Sequence, residues 1–538
     1  MDLDGNYDED LSVIYGELED KDDVFLLSNP PQRSSVYLFA VTAGLGGLQC
    51  IFSLIFSNGS IYLSGLGISK PILSLVWITG PLAGMTLQPY FGLRSDECLS
   101  SWGRRRPYIV FGATASIVSL LGLAMAGRAS QTLAGNAQTV EACMAVTFII
   151  LLNIAIQPLQ GAMRALLVDM CSRDEQPAAN VIAGIVINTA SVFSYATGLV
   201  DFSSINFFQT IGGDSQFAVL CILTSLVLAI SVLITCLVVR EKRYDAPHKI
   251  RRLDYSPARV GSFRYLYRRL YCLPNQVRKV FKVQFFSWMG WFPFLFYVTS
   301  YIGRKYVATL TENEIQSHKA PGSLQIQSAR AGSSGMLLFA TAALIAGALL
   351  TFAHRYEQHP LRSANPPPCS GWAITVRGIW ICSQILYAGC MLATFFVASL
   401  EGIYLLVGTC GISWAVTIWA PYTIINSQIL LKENRDSATL VSEELLNALE
   451  TEKIDSEDIE SMGTERGPGS ETRPGLVLGL HNVAIAGPQI IAAIFCSAIF
   501  WAVQGTSQDG TLWVLRFGGL SSCVAAFLAR GIQPGDAI

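Results

Sequence analysis

Stretches of about twenty apolar residues recur twelve times along this chain of 538 residues, and a soluble core cannot absorb that many. They fall near 36–57, 70–92, 107–127, 143–168, 178–200 and 216–239, and then near 283–303, 333–354, 375–397, 403–430, 476–500 and 512–530. Each is long enough to cross the hydrocarbon of a bilayer as a helix. Composition agrees. Only 14% of residues are charged against 51% hydrophobic, and mean hydropathy is +0.42. That leaves too few charges to solvate a large soluble surface. The expectation is an all-α, multi-pass integral membrane protein of twelve transmembrane helices.

Lysine and arginine set the orientation. Arg240–Lys282 carries 13 of them against three acids, and the link between the second and third spans ends in Arg104, Arg105 and Arg106. Both segments lie on the same side of an alternating topology, whereas the link 58–69 on the opposite side carries no charge. The positive-inside rule makes the basic side cytoplasmic, and with it both termini. The basic run is thereby explained by topology, and no nucleic-acid partner is expected.

One span carries a polar stripe. Asn153, Gln157, Gln160 and Arg164 lie within about 60° of one another at helical spacing. A guanidinium left in lipid costs at least about 2.5 kcal/mol, so such a residue faces a cavity or a ligand. A hydrophilic path through the membrane, and hence transport, follows. An intramembrane enzyme is disfavoured: the spans hold no paired acids, no His-Glu metal spacing and no activated nucleophile. The 13 cysteines are scattered without a C-x-x-C pair and read as small packing residues, and the five histidines show no ligand spacing. No metal, cofactor or catalytic residue is expected.

The remaining segments are polar. Residues 1–35 are acidic and aperiodic, unlike a signal peptide, and read as a disordered cytoplasmic tail in which residues 22–27 (Asp-Asp-Val-Phe-Leu-Leu) match an acidic dileucine sorting pattern. The segment 432–474 reads as an acidic cytoplasmic loop, with 437–450 able to form a short helix. Asn58-Gly59-Ser60 has the form of a glycosylation acceptor, though very close to the first span. The division is a tail at 1–35, a six-helix half at 36–239, a basic linker at 240–282, a second half at 283–530 and a short tail at 531–538.

Six spans, a basic link and six spans have the layout of the major facilitator superfamily. Gly92-Leu93-Arg94-Ser95-Asp96 followed by Gly103-Arg104-Arg105-Arg106 resembles its loop signature, in which Asp96, Gly103 and the three arginines would act in gating. The loop is longer than usual, and Leu87-Gln88-Pro89 through Asp96, then Cys98, then Gly103 to Ile109 closely resembles the sucrose/H+ symporters of plants and fungi, within the glycoside–pentoside–hexuronide cation symporters. Gln160-Gly161, Arg164-Ala165-Leu166, Asp169, Tyr195-Ala196-Thr197-Gly198, Phe286 to Phe294, Pro421-Tyr422 and Asn482 to Ile485 extend the likeness over essentially all spans.

The resemblance implies carriage of sucrose, maltose or another glucoside by alternating access, with a proton as the second partner and the plasma membrane as the usual site; the dileucine pattern points instead to a vacuolar or endosomal membrane. Disaccharide hydroxyls and ring faces call for amides and aromatics. Besides the Arg164 stripe, Gln49, Asn188, Tyr195, Trp288, Trp291, Asn482 and Gln489 supply them at helical spacing. One departure stands out. Asn153 occupies the place of the family's usual coupling aspartate, and an amide does not titrate. Asp169, Asp201 and Glu401 are the nearest acids able to replace it. Without such a replacement the chain would be an uncoupled facilitator. A sugar sensor that binds without turnover is the alternative from a different class.

Overall fold

The computed structural model describes residues 34–96, 98–132, 137–171, 175–202, 205, 215–241, 275–311, 323–357, 375–451 and 474–533. The dileucine pattern, most of the acidic tail, residues 242–274 of the basic linker, residues 452–473 and the last five residues lie outside them. The described chain is helical, without a strand: α1 (Ser35–Gly65), α2 (Lys70–Val76), α3 (Thr79–Asp96), α4 (Arg106–Thr132), α5 (Ala137–Met170), α6 (Gln176–Thr197), α7 (Gln216–Val238), α8 (Asn275–Thr309), α9 (Ser323–Glu357), α10 (Val376–Ala393), α11 (Leu400–Thr451), α12 (Pro474–Ala502) and α13 (Gly510–Ala529).

Ten of these helices are long and apolar enough to cross a membrane. Two of the twelve expected spans fall outside that group for local reasons. The second is broken between Val76 and Thr79 into α2 and α3. The seventh forms α8, whose Trp, Tyr and Gln side chains and basic first turns dilute its hydropathy. Helix starts follow the expected chemistry: Ser34, Ser215, Thr375 and Asp509 accept a backbone N–H at the first turns of α1, α7, α10 and α13.

Several boundaries differ from the sequence reading, and three of them change how a segment is read. Helix α1 does not stop at 57 but passes through a π-turn at Ile55–Gly59 and ends at Gly65. Asn58 is thereby buried inside it, donating its amide to the Ser57 hydroxyl at 2.6 Å, so the acceptor motif at 58–60 is not presented to solvent. Helix α8 begins at Asn275, inside the expected linker. Helix α11 runs on to Thr451, through the first part of the segment read as a loop.

The helices pack in two groups. Within α1–α7 the principal contacts are α4 on α5, α1 on α6 and α7, and α3 on α5; within α8–α13 they are α8 and α10 on α13, and α9 and α10 on α11. The groups meet through α12 on α2 and α3, α9 on α6, and α8 on the π-turn of α1.

Close approach within a group depends on glycine. A Cβ on Gly411 of α11 would lie 2.1 Å from the Phe339 carbonyl oxygen of α9, a backbone atom that cannot rotate away. Gly411→Val is expected to force these helices apart and destabilise the protein by about 3 kcal/mol, seen as a lower melting temperature of the detergent-purified protein. Gly408→Val, where a Cβ meets only the Leu338 side chain at 3.6 Å, serves as the milder control.

Candidate functional site

Proline interrupts five helices, at Pro89 in α3, Pro158 in α5, Pro293 in α8, Pro421 in α11 and Pro488 in α12. Each removes a backbone donor and loosens the helical ladder. The same five helices supply the polar side chains that meet in the middle of the molecule.

Helix α5 is longer than the span expected from sequence, so Asn153 falls near its midpoint. Arg164 lies about 16 Å further toward the end that carries Arg104–Arg106, by the helical rise. Asn153 donates its amide to the Thr79 hydroxyl at 2.9 Å, where α3 begins, beside the bare backbone of Gly80. One turn on, Gln157 donates to the Asn153 carbonyl at 2.8 Å. Its own Oε1, buried opposite Gly84, has no partner among the described residues.

The next layer bridges the two helix groups. Asn482 of α12 donates to Gln88 Oε1 at 2.7 Å and to the Gly84 carbonyl at 3.1 Å on α3. The Arg164 guanidinium donates to the Tyr422 hydroxyl of α11 at 2.7 Å and lies 5.9 Å from the centre of that ring. The ring also meets His481 edge-on at 4.7 Å between centroids, and the His481 Nε2 lies 3.3 Å from the Gln284 amide of α8. Arg164 remains exposed at this contact between the groups.

The opposite end is tied more densely. The Ser60 hydroxyl donates to the Phe296 carbonyl at 2.6 Å, Tyr297 to Ser74 at 2.7 Å, and Ser497 to the Pro71 carbonyl at 3.1 Å. Arg330 of α9 pairs with Asp201, just beyond α6, at 2.8 Å. Asp201 is thus held in an ion pair between the groups.

At the basic end, Arg104 and Arg105 both reach Asp169, at 2.7 and 2.8 Å, and Arg105 also binds Ser95 and Asp96. Burial disfavours the charge on Arg105, but the Asp169 and Asp96 carboxylates more than offset it, so its pKa lies above the ordinary value. Glu241, following α7, accepts from the backbone N–H groups of Arg105 and Arg106 at 2.8 and 3.0 Å and from that of Arg104. A carboxylate thereby caps the start of α4, where helix N–H groups lack partners. Gly103 makes the turn with φ +113°, and a Cβ there would strike the Glu241 side chain at 2.8 Å. These contacts join the ends of α3, α4, α5 and α7 inside one helix group.

Other residues singled out from the sequence are placed differently. Trp291 and Tyr195 are fully buried, Trp291 against Tyr387 and Trp414 and donating to the Thr417 hydroxyl at 3.3 Å. Gln49 faces Ser53, Asn188 donates to Gly184 on its own helix, and Gln489 donates to the Ile485 carbonyl. Glu401 is exposed in the first turn of α11, at the end remote from Arg164. Gln160 is half-buried. Trp288 packs on Trp414 and leaves its Nε1 buried with no partner among the described residues.

Sequence reasoning did not single out Thr79, Gln88, Glu241, Gln284, Tyr422 or His481 as functional. The spacing of Gln284 and Trp288, four apart and so on one face of α8, was a usable signal. For Glu241 and His481 there was none, because their hydrogen-bond partners lie 135 or more residues away.

Comparison with known proteins agrees with this architecture. Residues 69–249 match the family model described as PUCC protein. The general alpha-glucoside permease of Schizosaccharomyces pombe is 28% identical over 94% of both chains. Sucrose transport protein SUC4 of Arabidopsis thaliana is 26% identical over 86% of this chain and 84% of its own. Among solved structures, the xylose transporter XylE from E. coli, in a partially occluded inward open conformation, aligns with a TM-score of 0.56 at 11% identity, covering 94% of this chain and all of that one. The nucleoside transporter NupG aligns at 0.51 with 12% identity, over 94% of this chain and all of that one. The XylE and NupG alignments bear on the fold alone. With the near full-length sequence matches beside them, this chain is similar along almost its whole length to an α-glucoside permease and a sucrose transport protein, and it shares the fold of solved sugar and nucleoside transporters.

Proposed function

We propose that this chain carries sucrose or a closely related α-glucoside across a membrane by alternating access, with the basic end facing the cytoplasm. The observation that carries the reading is the contact between Arg164 and Tyr422, which joins the two helix groups through an exposed cation. A carrier must make and break such contacts as its halves rock about a central site. Breaking this one frees a five-donor fork suited to adjacent sugar hydroxyls. The unpartnered Gln157 Oε1 and Trp288 Nε1 supply an acceptor and a donor on flanking helices, and a buried polar atom without a protein partner is costly unless a ligand or water satisfies it. Asn153, Gln160 and Asn482 complete the set we assign to substrate; Arg330–Asp201 and the Ser60, Tyr297 and Ser497 contacts close the outer end. The names of the permease and sucrose-transporter relatives support the substrate class.

The test is uptake of radiolabelled sucrose and maltose by sugar-transport-deficient yeast expressing the chain. Saturable uptake above the empty-vector level is expected. Surface expression without uptake of any glucoside would favour a binding sensor instead.

Asn153 gives a second expected result. Asn153→Asp places a titratable carboxylate at the midpoint of α5, with the Thr79 hydroxyl 2.9 Å away and able to donate to it. Uptake should become more steeply dependent on pH between 5 and 7 than in the wild type. An unchanged profile would show that this position has no access to the coupling proton.

A further inference from the structure

The sequence places no acid on the Arg164 face of α5 within its span, since Asn153 stands where the coupling carboxylate would be. Among the described residues in the layer of Arg164, one neutral side chain can take up a proton to become a cation, and it is the imidazole of His481. His481 of α12 is 2% exposed and packed between Tyr422 of α11 and Phe281 and Gln284 of α8. Tyr422 is shared. Arg164 binds its hydroxyl and lies near its ring, while the imidazole rests against the ring edge.

We infer that His481 is the protonation site that governs Arg164: neutral His481 lets Arg164 dock on Tyr422, and protonated His481 releases Arg164 to the sugar. This rests on the transport reading above.

The amide of Gln284 fits both states. In the structure its Nε2 faces the His481 Nε2 at 3.3 Å, and because an amide nitrogen only donates, this arrangement suits an imidazole that accepts at Nε2. The Gln284 Oε1 meanwhile is buried without a partner among the described residues. When His481 takes a proton from water at Nε2 it becomes a donor on both nitrogens. A half-turn of the Gln284 amide then presents Oε1 as acceptor, and the orphaned oxygen is satisfied.

The consequence for Arg164 is electrostatic. Two cations would then share one tyrosine, the imidazole enclosed and the guanidinium exposed, and like charges this close disfavour each other. The guanidinium is the mobile partner, because it is exposed and the imidazole is enclosed. Leaving Tyr422, it also dissolves one of the two polar bridges between the helix groups in this layer.

Among the described residues, the other groups around His481 do not supply a counter-charge. On α8, Arg278 and Lys282 lie within a turn of Phe281 and Gln284, and Lys282 is exposed. On α3, Gln88 and Gly84 contact the neighbouring Asn482, and the charged Arg94 and Asp96 stand one to three turns further toward the basic end. On α2 and α13, Lys70 and Arg516 belong to the opposite end, where Lys70 lies against Phe500 and Arg516 against Phe395 and Trp513. Among the described residues, Arg164 is the charged group that meets the same ring as the imidazole, that of Tyr422.

Proton binding and sugar binding are then linked, and linkage is reciprocal. The experiment is sucrose affinity of the purified full-length protein, read by tryptophan fluorescence at pH 5 and pH 7.5, with maltose as a second probe. The wild type should bind about tenfold more tightly at pH 5. His481→Gln should bind at both pH values with the pH dependence abolished, whereas a purely structural histidine would change affinity equally at both. Tyr422→Phe removes the hydroxyl that holds Arg164, and its affinity at pH 7.5 should rise to the wild-type value at pH 5. This second variant decides the matter if His481→Gln does not fold. Wild-type binding indifferent to pH, or pH dependence surviving in His481→Gln, would overturn the inference and leave the transport reading standing. Absence of both binding and uptake for every glucoside overturns the transport reading and the inference with it.

Discussion

Arg164→Lys is expected to cut sucrose uptake by about 100-fold while leaving the protein's abundance at the membrane unchanged. Lysine keeps the positive charge and can still donate one hydrogen bond to the Tyr422 hydroxyl, so the contact between the helix groups has a replacement. What it loses is the planar fork that grips two adjacent hydroxyls together. A hydrogen bond from a charged donor contributes about 1.5–3 kcal/mol, and each 1.4 kcal/mol is about tenfold. Losing one such bond and the alignment of the second therefore accounts for about two orders of magnitude. Initial uptake rates over a range of sucrose concentrations, normalised to surface protein, make the comparison. Retention of more than half the wild-type rate would remove Arg164 from the substrate site and leave it only a gate contact.

Arg105→Ala is expected to lower the stability of the folded protein by about 3 kcal/mol, near the lower end of what removing one partner of a buried ion pair costs. Arg105 has a side chain 5% exposed, with Asp169 on one side and Asp96 and Ser95 on the other. Its removal leaves Asp169 to Arg104 alone and Asp96 without this cation. Asp96 is 49% exposed and water compensates it, which is why the upper end of the range does not apply. The loop signature alone favoured a gating latch. The observed contacts join α3, α4, α5 and α7 of one helix group, which makes the cluster an internal brace in this conformation. Thermal unfolding of the detergent-purified protein separates the two roles: a brace lowers the melting temperature, whereas a latch alters the uptake rate at unchanged melting temperature.

Asp169, Asp201 and Glu401 illustrate how far sequence could go in finding a coupling group. Each was a reasonable acid at the end of a span. The fold gives the first to Arg104 and Arg105, the second to Arg330, and leaves the third exposed and remote from Arg164. Trp291 and Tyr195 show the complementary difficulty. A tryptophan or tyrosine facing a cavity and one buried in the helix packing have the same spacing in sequence, and only the neighbouring helices distinguish them.

The sequence by itself determined that this chain has many helices able to cross a membrane, and that one of them carries amides and a cation on a single face. These are properties of consecutive residues: hydrophobic length, charge placement and the 100° step of a helix act within one segment. The tertiary structure decided which polar groups meet. Asn482 reaches Gly84 across 398 positions, Arg164 reaches Tyr422 across 258, and His481 reaches Gln284 across 197. Such pairs arise when proline-interrupted helices from the two groups come into contact, and no local pattern encodes them. Burial then shapes the chemistry of the enclosed ones, His481 and Gln284, because away from water a side chain's charge depends on the few groups that face it.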